Sequence, residues 1–144
     1  MLAATNNSEL RAAVLAEARS WLGTPFHHAQ ATKGRGVDCA MLLCSVFSVV
    51  GLVPAIDPRP YPPDWHLHRD AERFLGQIAE HACRVHTPEP GDIALFRYGR
   101  CVSHGAIIEN EEYMIHAWIE ARAVVRSERR ALAMRQDSCW SVFR

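Results

Sequence analysis

The feature that most constrains the fold of this chain is a change of period at Gly91-Asp92. Before it, apolar residues recur at helical spacing; after it, short runs rich in β-branched and aromatic residues alternate with turn signals (IALFRY, VSHGAIIE, EYMIHAW, AVVRS and SCWSVFR). Helices first and strands afterwards predict an α+β domain in which N-terminal helices pack on a C-terminal antiparallel β-sheet. At 144 residues, residues 1–144 are expected to form one domain.

Within the helical part, Ser8 is the predicted cap of a first helix carrying Leu10, Val14, Ala18, Trp21 and Leu22, stopped by Gly23 and Thr24-Pro25. Residues 26–36, FHHAQATKGRG, have no apolar period and read as a loop. The segment VDCAMLLCSVFSVVGL places Asp38 at an N-cap, Cys39 as the first helical residue and Gly51 at the far end, with apolar side chains around most of the axis. Five of the eight prolines fall in residues 54–65, which predicts an extended connection on the surface, pinned to the core by Tyr61 and Trp65. Ala71, Phe74, Leu75, Ile78 and Ala82 predict a third helix, ended before Pro88 and Pro90.

Charge excludes some functions. Sixteen basic residues balance sixteen acidic ones, so no net field draws the chain to nucleic acid or to an anionic membrane. The start MLAATNNSEL lacks the pattern of a signal peptide, and no stretch of about 18 apolar residues occurs, so a substrate outside the cytoplasm implies delivery by another component. Five cysteines at irregular spacing fit neither a disulfide scaffold nor a paired C-x-x-C zinc site, and at least one thiol stays free.

Cys39 is the residue around which chemistry can be built. A helix N-terminus favours negative charge, which predicts a lowered thiol pKa and an amide that can hold an oxyanion. If the runs 102–109 and 112–118 form a hairpin centred on Asn110, His104 and His116 face each other as direct cross-strand neighbours, about 5 Å apart at Cβ. One imidazole then takes the proton of Cys39 while the other fixes its tautomer, the logic of a nucleophile, a base and an orienter. Cys44, Cys83, Cys101 and Cys139 read as structural thiols. His27 or His28 is expected to line a cleft, since the loop that carries them ends at the nucleophile, and Ser103 and Gly105 leave room beside His104 for a substrate backbone. The run ARAVVRSERR reads as a solvated strand edge. Zinc ligation by Cys39, His104 and His116 is an alternative with no supporting H-E-x-x-H or C-x-x-C spacing.

The stretches GTPFHHAQATKGRGVDCAMLL, PGDIALF, VSHGAIIEN and YMIHAW together resemble the NlpC-type cell-wall peptidases, over about residues 18–118. The form H-H-x-x-x-x-K-G-x-G-x-D-C and the connector PYPPDW are most similar to single-domain members associated with phage tails and prophages. The resemblance implies a papain-like fold, catalytic Cys39, His104 and His116, no cofactor or metal, and hydrolysis of amide bonds in peptidoglycan stem peptides. It also implies tail hub proteins as partners and a place in a virion tail, acting on the wall of the target cell. Asp38, Ser103, Phe26 and His28 are the substrate-binding candidates. Phe26 stands where the family pattern has a tyrosine whose hydroxyl often serves the oxyanion site, so a catalytically silent tail plug or hub of the same fold is the alternative.

Overall fold

The structure, a computed structural model, describes residues 6–55, 70–99 and 101–143. Three helices precede a six-stranded sheet, as the change of period predicts. Helix α1 spans Asn7–Ser20, α2 Cys39–Val50 and α3 Asp70–His81. The strands are β1 (Ala31–Thr32), β2 (Gly36–Val37), β3 (Cys83–Val85), β4 (Ile93–Tyr98), β5 (Cys101–Ile108), β6 (Tyr113–Trp118), β7 (Ala123–Glu128) and β8 (Gln136–Ser141). The main sheet runs β3-β8-β4-β5-β6-β7 with every pair antiparallel, and β1 and β2 form a separate ribbon. Among the described residues no helix is long and apolar enough to cross a membrane.

Helix α1 is capped two residues earlier than expected. Asn6, not Ser8, accepts the amide of Glu9 at 2.9 Å, and Ser8 lies inside the helix. Val14, Ala18 and Trp21 are buried as the periodicity requires, while Leu22 is exposed. Helix α2 keeps its predicted ends. Asp38 accepts the Met41 amide at 3.0 Å, and Gly51 closes the helix at φ 87°, where a side chain would be strained. Most of α2 is buried against α1 and across β5 and β6. In α3, Ile78 packs on this core; Tyr61 and Trp65, and the connector up to residue 69, lie outside the described residues.

The loop before Cys39 is more ordered than its sequence suggests. The ribbon β1-β2 folds it back, and at Gly36 a Cβ would stand 2.7 Å from the Cβ of His27, so only glycine fits. The edge of β7 is not left to solvent along its whole length. Residues 23–26 pair with its start, with Gly23 N donating to Val124 O at 2.9 Å and Val124 N to Thr24 O at 2.8 Å. Arg126 of β7 is also engaged, binding Glu109 through Nη2 at 2.7 Å. The reading of ARAVVRSERR as a solvated edge strand holds for most of its length, since β7 is the last strand of the sheet, but its start is covered by residues 23–26 and Arg126 is held by an ion pair.

Asp92 explains the P-G-D element. Its carboxylate, almost fully buried, takes Arg11 Nη1 of α1 at 2.9 Å and the Glu89 amide at 2.8 Å. Arg11 also donates to Pro90 O at 2.9 Å and lies over the Phe143 ring. One aspartate thus ties the first helix to the sheet and fixes the turn that enters β4.

Candidate active site

Two local irregularities build the site. Opposite β4, Phe96 pairs with His104 but Arg97 pairs with Val102, so Ser103 is the extra residue of a β-bulge. On the other side, β5 and β6 are paired only at Ile107↔Ile115 and Ile108↔Met114 before they part. Ile108 bonds toward β4, donating to Asp92 O at 2.8 Å and accepting from Gly91 N at 2.8 Å. By alternation the amide of Gly105 turns the other way, into the space that β6 has left. The N-terminus of α2 fills that space. Cys39 Sγ lies 3.5 Å from Ser103 O, and the Gly105 amide donates to it.

Around this point the imidazoles meet. His104 Nε2 and His116 Nδ1 are 2.7 Å apart, and His116 Nε2 is 2.8 Å from Ser127 Oγ on β7. His104 is 7% exposed, His116 not at all, and Cys39 6%. The hairpin register differs from expectation: Ile107↔Ile115 centres the turn on Glu111, so His104 and His116 are diagonal neighbours and not directly opposed. Asn110 is the cause. Its side chain accepts the amides of Glu112 and Tyr113, both at 2.8 Å, and so delays the reversal by one residue. Moving the centre by one residue shifts the pairing by two, which preserves the face, and the diagonal is within reach of two rings.

Aromatic side chains enclose the pair. Phe96 and Tyr98 each hold their ring centres 5.7 Å from His104, Tyr98 edge-on, while Trp118 stacks on His116 at 5.1 Å. This apolar setting decides the protonation states. Burial holds His104 well below the usual imidazole range, with the neighbouring His116 adding to the effect, and burial alone takes His116 to about 4. The expectation of a lowered Cys39 thiol is overturned. Burial, and after it the charge of Asp38, push it up to about 12, outweighing the amides of Gly105, Ala40 and Cys39 that favour the thiolate. With these shifts the thiol and both imidazoles are neutral near pH 7.

Of the other candidates, Asp38 is 3% exposed and uses one carboxylate oxygen for Met41 N and the other for Ala29 N at 2.7 Å. It joins the loop of His28 to the helix that carries Cys39, and Ala29 adopts φ 58° to present its amide. Ser103 is buried in the bulge. Phe26 is half-buried, with its amide donating to Arg122 O at 2.8 Å and its ring packed on the core. His28 is half-buried and His27 exposed. Sequence reasoning missed Ser127, Tyr98 and Trp118, whose only signal was their place on strands next to the histidines. Among the described residues no group of three or more His, Cys, Asp or Glu is placed to hold a metal ion.

No protein-family model matches the chain, and no curated protein matches it. Solved structures do. The NlpC/p60 domain of the peptidoglycan hydrolase SagA is 22% identical with a TM-score of 0.64, over 91% of this chain and 97% of that one. The peptidoglycan hydrolase RipB from Mycobacterium tuberculosis is 16% identical with a TM-score of 0.68, over 99% and 69% of the two chains. An NLP/P60-family lipoprotein-like structure from Staphylococcus aureus is 19% identical with a TM-score of 0.69 and covers 97% of this chain, which spans only 44% of that one. Helices α1 to α3 with a six-stranded antiparallel sheet, together with the similarity to these structures over 91–99% of the chain, give it the papain-like α+β fold of NlpC/p60 domains.

Proposed function

We propose that this domain is a cysteine peptidase that hydrolyses amide bonds in peptidoglycan stem peptides, with Cys39 as nucleophile, His104 as base and His116 as orienter. The observation that carries the reading is the 2.7 Å contact between His104 Nε2 and His116 Nδ1, on the strand whose bulge receives the Cys39 thiol. If His104 Nε2 carries its proton, it donates to His116 Nδ1, His116 Nε2–H donates to Ser127 Oγ, and His104 Nδ1 is left unprotonated as the base.

Because the resting thiol is neutral, the proton moves as attack occurs. His104 Nδ1 takes it while Sγ bonds to the carbonyl carbon, and the negative oxygen is received by the Cys39 amide at the helix N-terminus. The imidazolium gives its proton to the leaving nitrogen as the C–N bond breaks, leaving a thioester. Water, deprotonated by His104, then releases the acid and restores the thiol. The substrate class is supported by the likeness to structures described as peptidoglycan hydrolases and by the resemblance of the motifs.

The test is mass spectrometry of muropeptides released from purified sacculi by the wild type and by Cys39→Ser. Release by the wild type and none by the variant is expected; equal release by both sinks the assignment. The finer setting we propose is a phage-type tail acting on the wall of the target cell, on the ground of the H-H-x-x-x-x-K-G-x-G-x-D-C form and the proline-rich connector. Retention of the protein by purified tail hub proteins tests it. A catalytically silent tail component is favoured by the near-complete burial of Cys39 and by Phe26, and it predicts hub binding without muropeptide release.

A further inference from the structure

We propose that Tyr98 and Arg135 form a subsite for the leaving half of the substrate, selecting amides whose amine half carries a free carboxylate. The proposal rests on the assignment of Cys39 and His104 above. A base that hands its proton to the leaving nitrogen must lie beside that nitrogen, so what packs against His104 borders the leaving half. Three rings pack against His104, of which Phe96 and His116 are buried; Tyr98, edge-on with ring centres 5.7 Å apart, is the one partly open to solvent and so able to meet a substrate.

The hydroxyl of Tyr98 has a proton to give. Trp118 Nε1 lies 3.4 Å from Tyr98 Oη, and an indole nitrogen only donates, so Tyr98 is the acceptor in that contact. Among the described residues no side chain or carbonyl takes the tyrosine's own hydrogen. Arg135 supplies the charge. Its guanidinium carbon stands 4.4 Å above the Tyr98 ring, and Leu132, buried in the same segment, anchors the wall that carries it.

Arg135 is one of several described arginines with no carboxylate partner, and the one among them that lies over the Tyr98 ring. Arg11, Arg19, Arg97, Arg126 and Arg130 each meet a carboxylate, whereas among the described residues Arg135 meets none, and its one hydrogen bond, to Arg97 O, is 3.5 Å long. The acid in electrostatic reach of Tyr98 is Glu120. It opposes any long-range pull on anions, so selection depends on a close grip: a guanidinium and a phenolic hydroxyl converging on one carboxylate.

Two matched alkylating probes test this without requiring turnover. With bromoacetylglycine and bromoacetylglycinamide alike, the Cys39 sulfur bonds to the methylene carbon as the C–Br bond breaks and bromide leaves into solvent, with the thiol proton passing to His104 or buffer. They differ only in the carboxylate beyond the amide nitrogen. Rates at Cys39 are read by peptide mass spectrometry at one mildly alkaline pH, each divided by the rate of a free cysteine amide. The expected preference for the carboxylate probe is about fivefold in the wild type, falling to near unity in Arg135→Gln and reduced in Tyr98→Phe. Arg97→Gln, which removes a nearby cation already paired with Asp137, keeps the wild-type preference.

A wild-type ratio near one, an unchanged ratio in Arg135→Gln, an equal fall in Arg97→Gln, or no reaction of native Cys39 with either probe overturns the subsite. Muropeptide release keeps the two ideas apart. Release with a flat probe ratio refutes the subsite alone; a carboxylate preference without release refutes turnover and leaves the subsite standing.

Discussion

Replacing His116 by asparagine should change how the fold responds to acid. His116 is fully buried and held at about 4, against 6.5 for a free imidazole. Between those values the unfolded chain binds a proton that the native state refuses, so stability falls as pH drops. The contribution is fully present above about pH 6.5 and lost toward pH 4, at roughly 1.4 kcal/mol per pH unit and about 3 kcal/mol in all. His104, also depressed, adds a slope of the same sign. Asparagine keeps a polar group facing His104 and Ser127 but cannot titrate, so one proton's share of the slope disappears. Guanidinium unfolding at a series of pH values from 7 to about 4.5 measures this. The two stability curves should converge as pH falls, whatever the variant's loss at neutral pH. Parallel curves would refute the claim that burial keeps His116 neutral.

Three further outcomes are expected. Asp92→Asn leaves Arg11 the exposed Glu89, at 3.5 Å, as its carboxylate partner and weakens the anchor of the turn, and should cost about 2 kcal/mol in a denaturant titration; a loss under about 0.5 kcal/mol would refute that role. Gly36→Ala forces the chain apart from His27 just ahead of Cys39, and should lower the unfolding midpoint by an equivalent of about 1–3 kcal/mol, with wild-type stability as the contrary result. Alkylation of Cys39 by iodoacetamide should accelerate about tenfold per pH unit through the neutral and alkaline range, since the thiol sits at about 12; a plateau below pH 8 would show a preformed thiolate.

What the sequence made legible was local. Asp38, Cys39 and Gly51 mark both ends of α2 because capping is decided by groups within a turn of each other. Strands β4 to β7 fall close to their predicted runs because alternation and turn residues are likewise local. The errors arose where the local signal is ambiguous or distant parts decide. Asn6 and Ser8 are both good caps, so the local signal is ambiguous at the start of α1. The three-residue β3 has no pattern of its own and exists because β8 pairs with it through Cys83↔Ser141 and Val85↔Cys139. For Cys39, helix position pointed to a lowered thiol, but the β5 backbone that meets it comes from elsewhere in the chain, and desolvation by burial prevails.

The placing of β8 has a consequence for how the molecule comes into being. Its neighbours are β3 and β4, both made long before it, so the nascent chain must hold a strand-wide slot open until residues 136–141 arrive. During that interval β4 offers a bare edge with Ile93 and Leu95 beside it, the kind of surface that recruits another chain. Joining β3 to β8 is the longest-range strand pairing within the main sheet and so a slow step, and agents that bind strand edges should compete with assembly there.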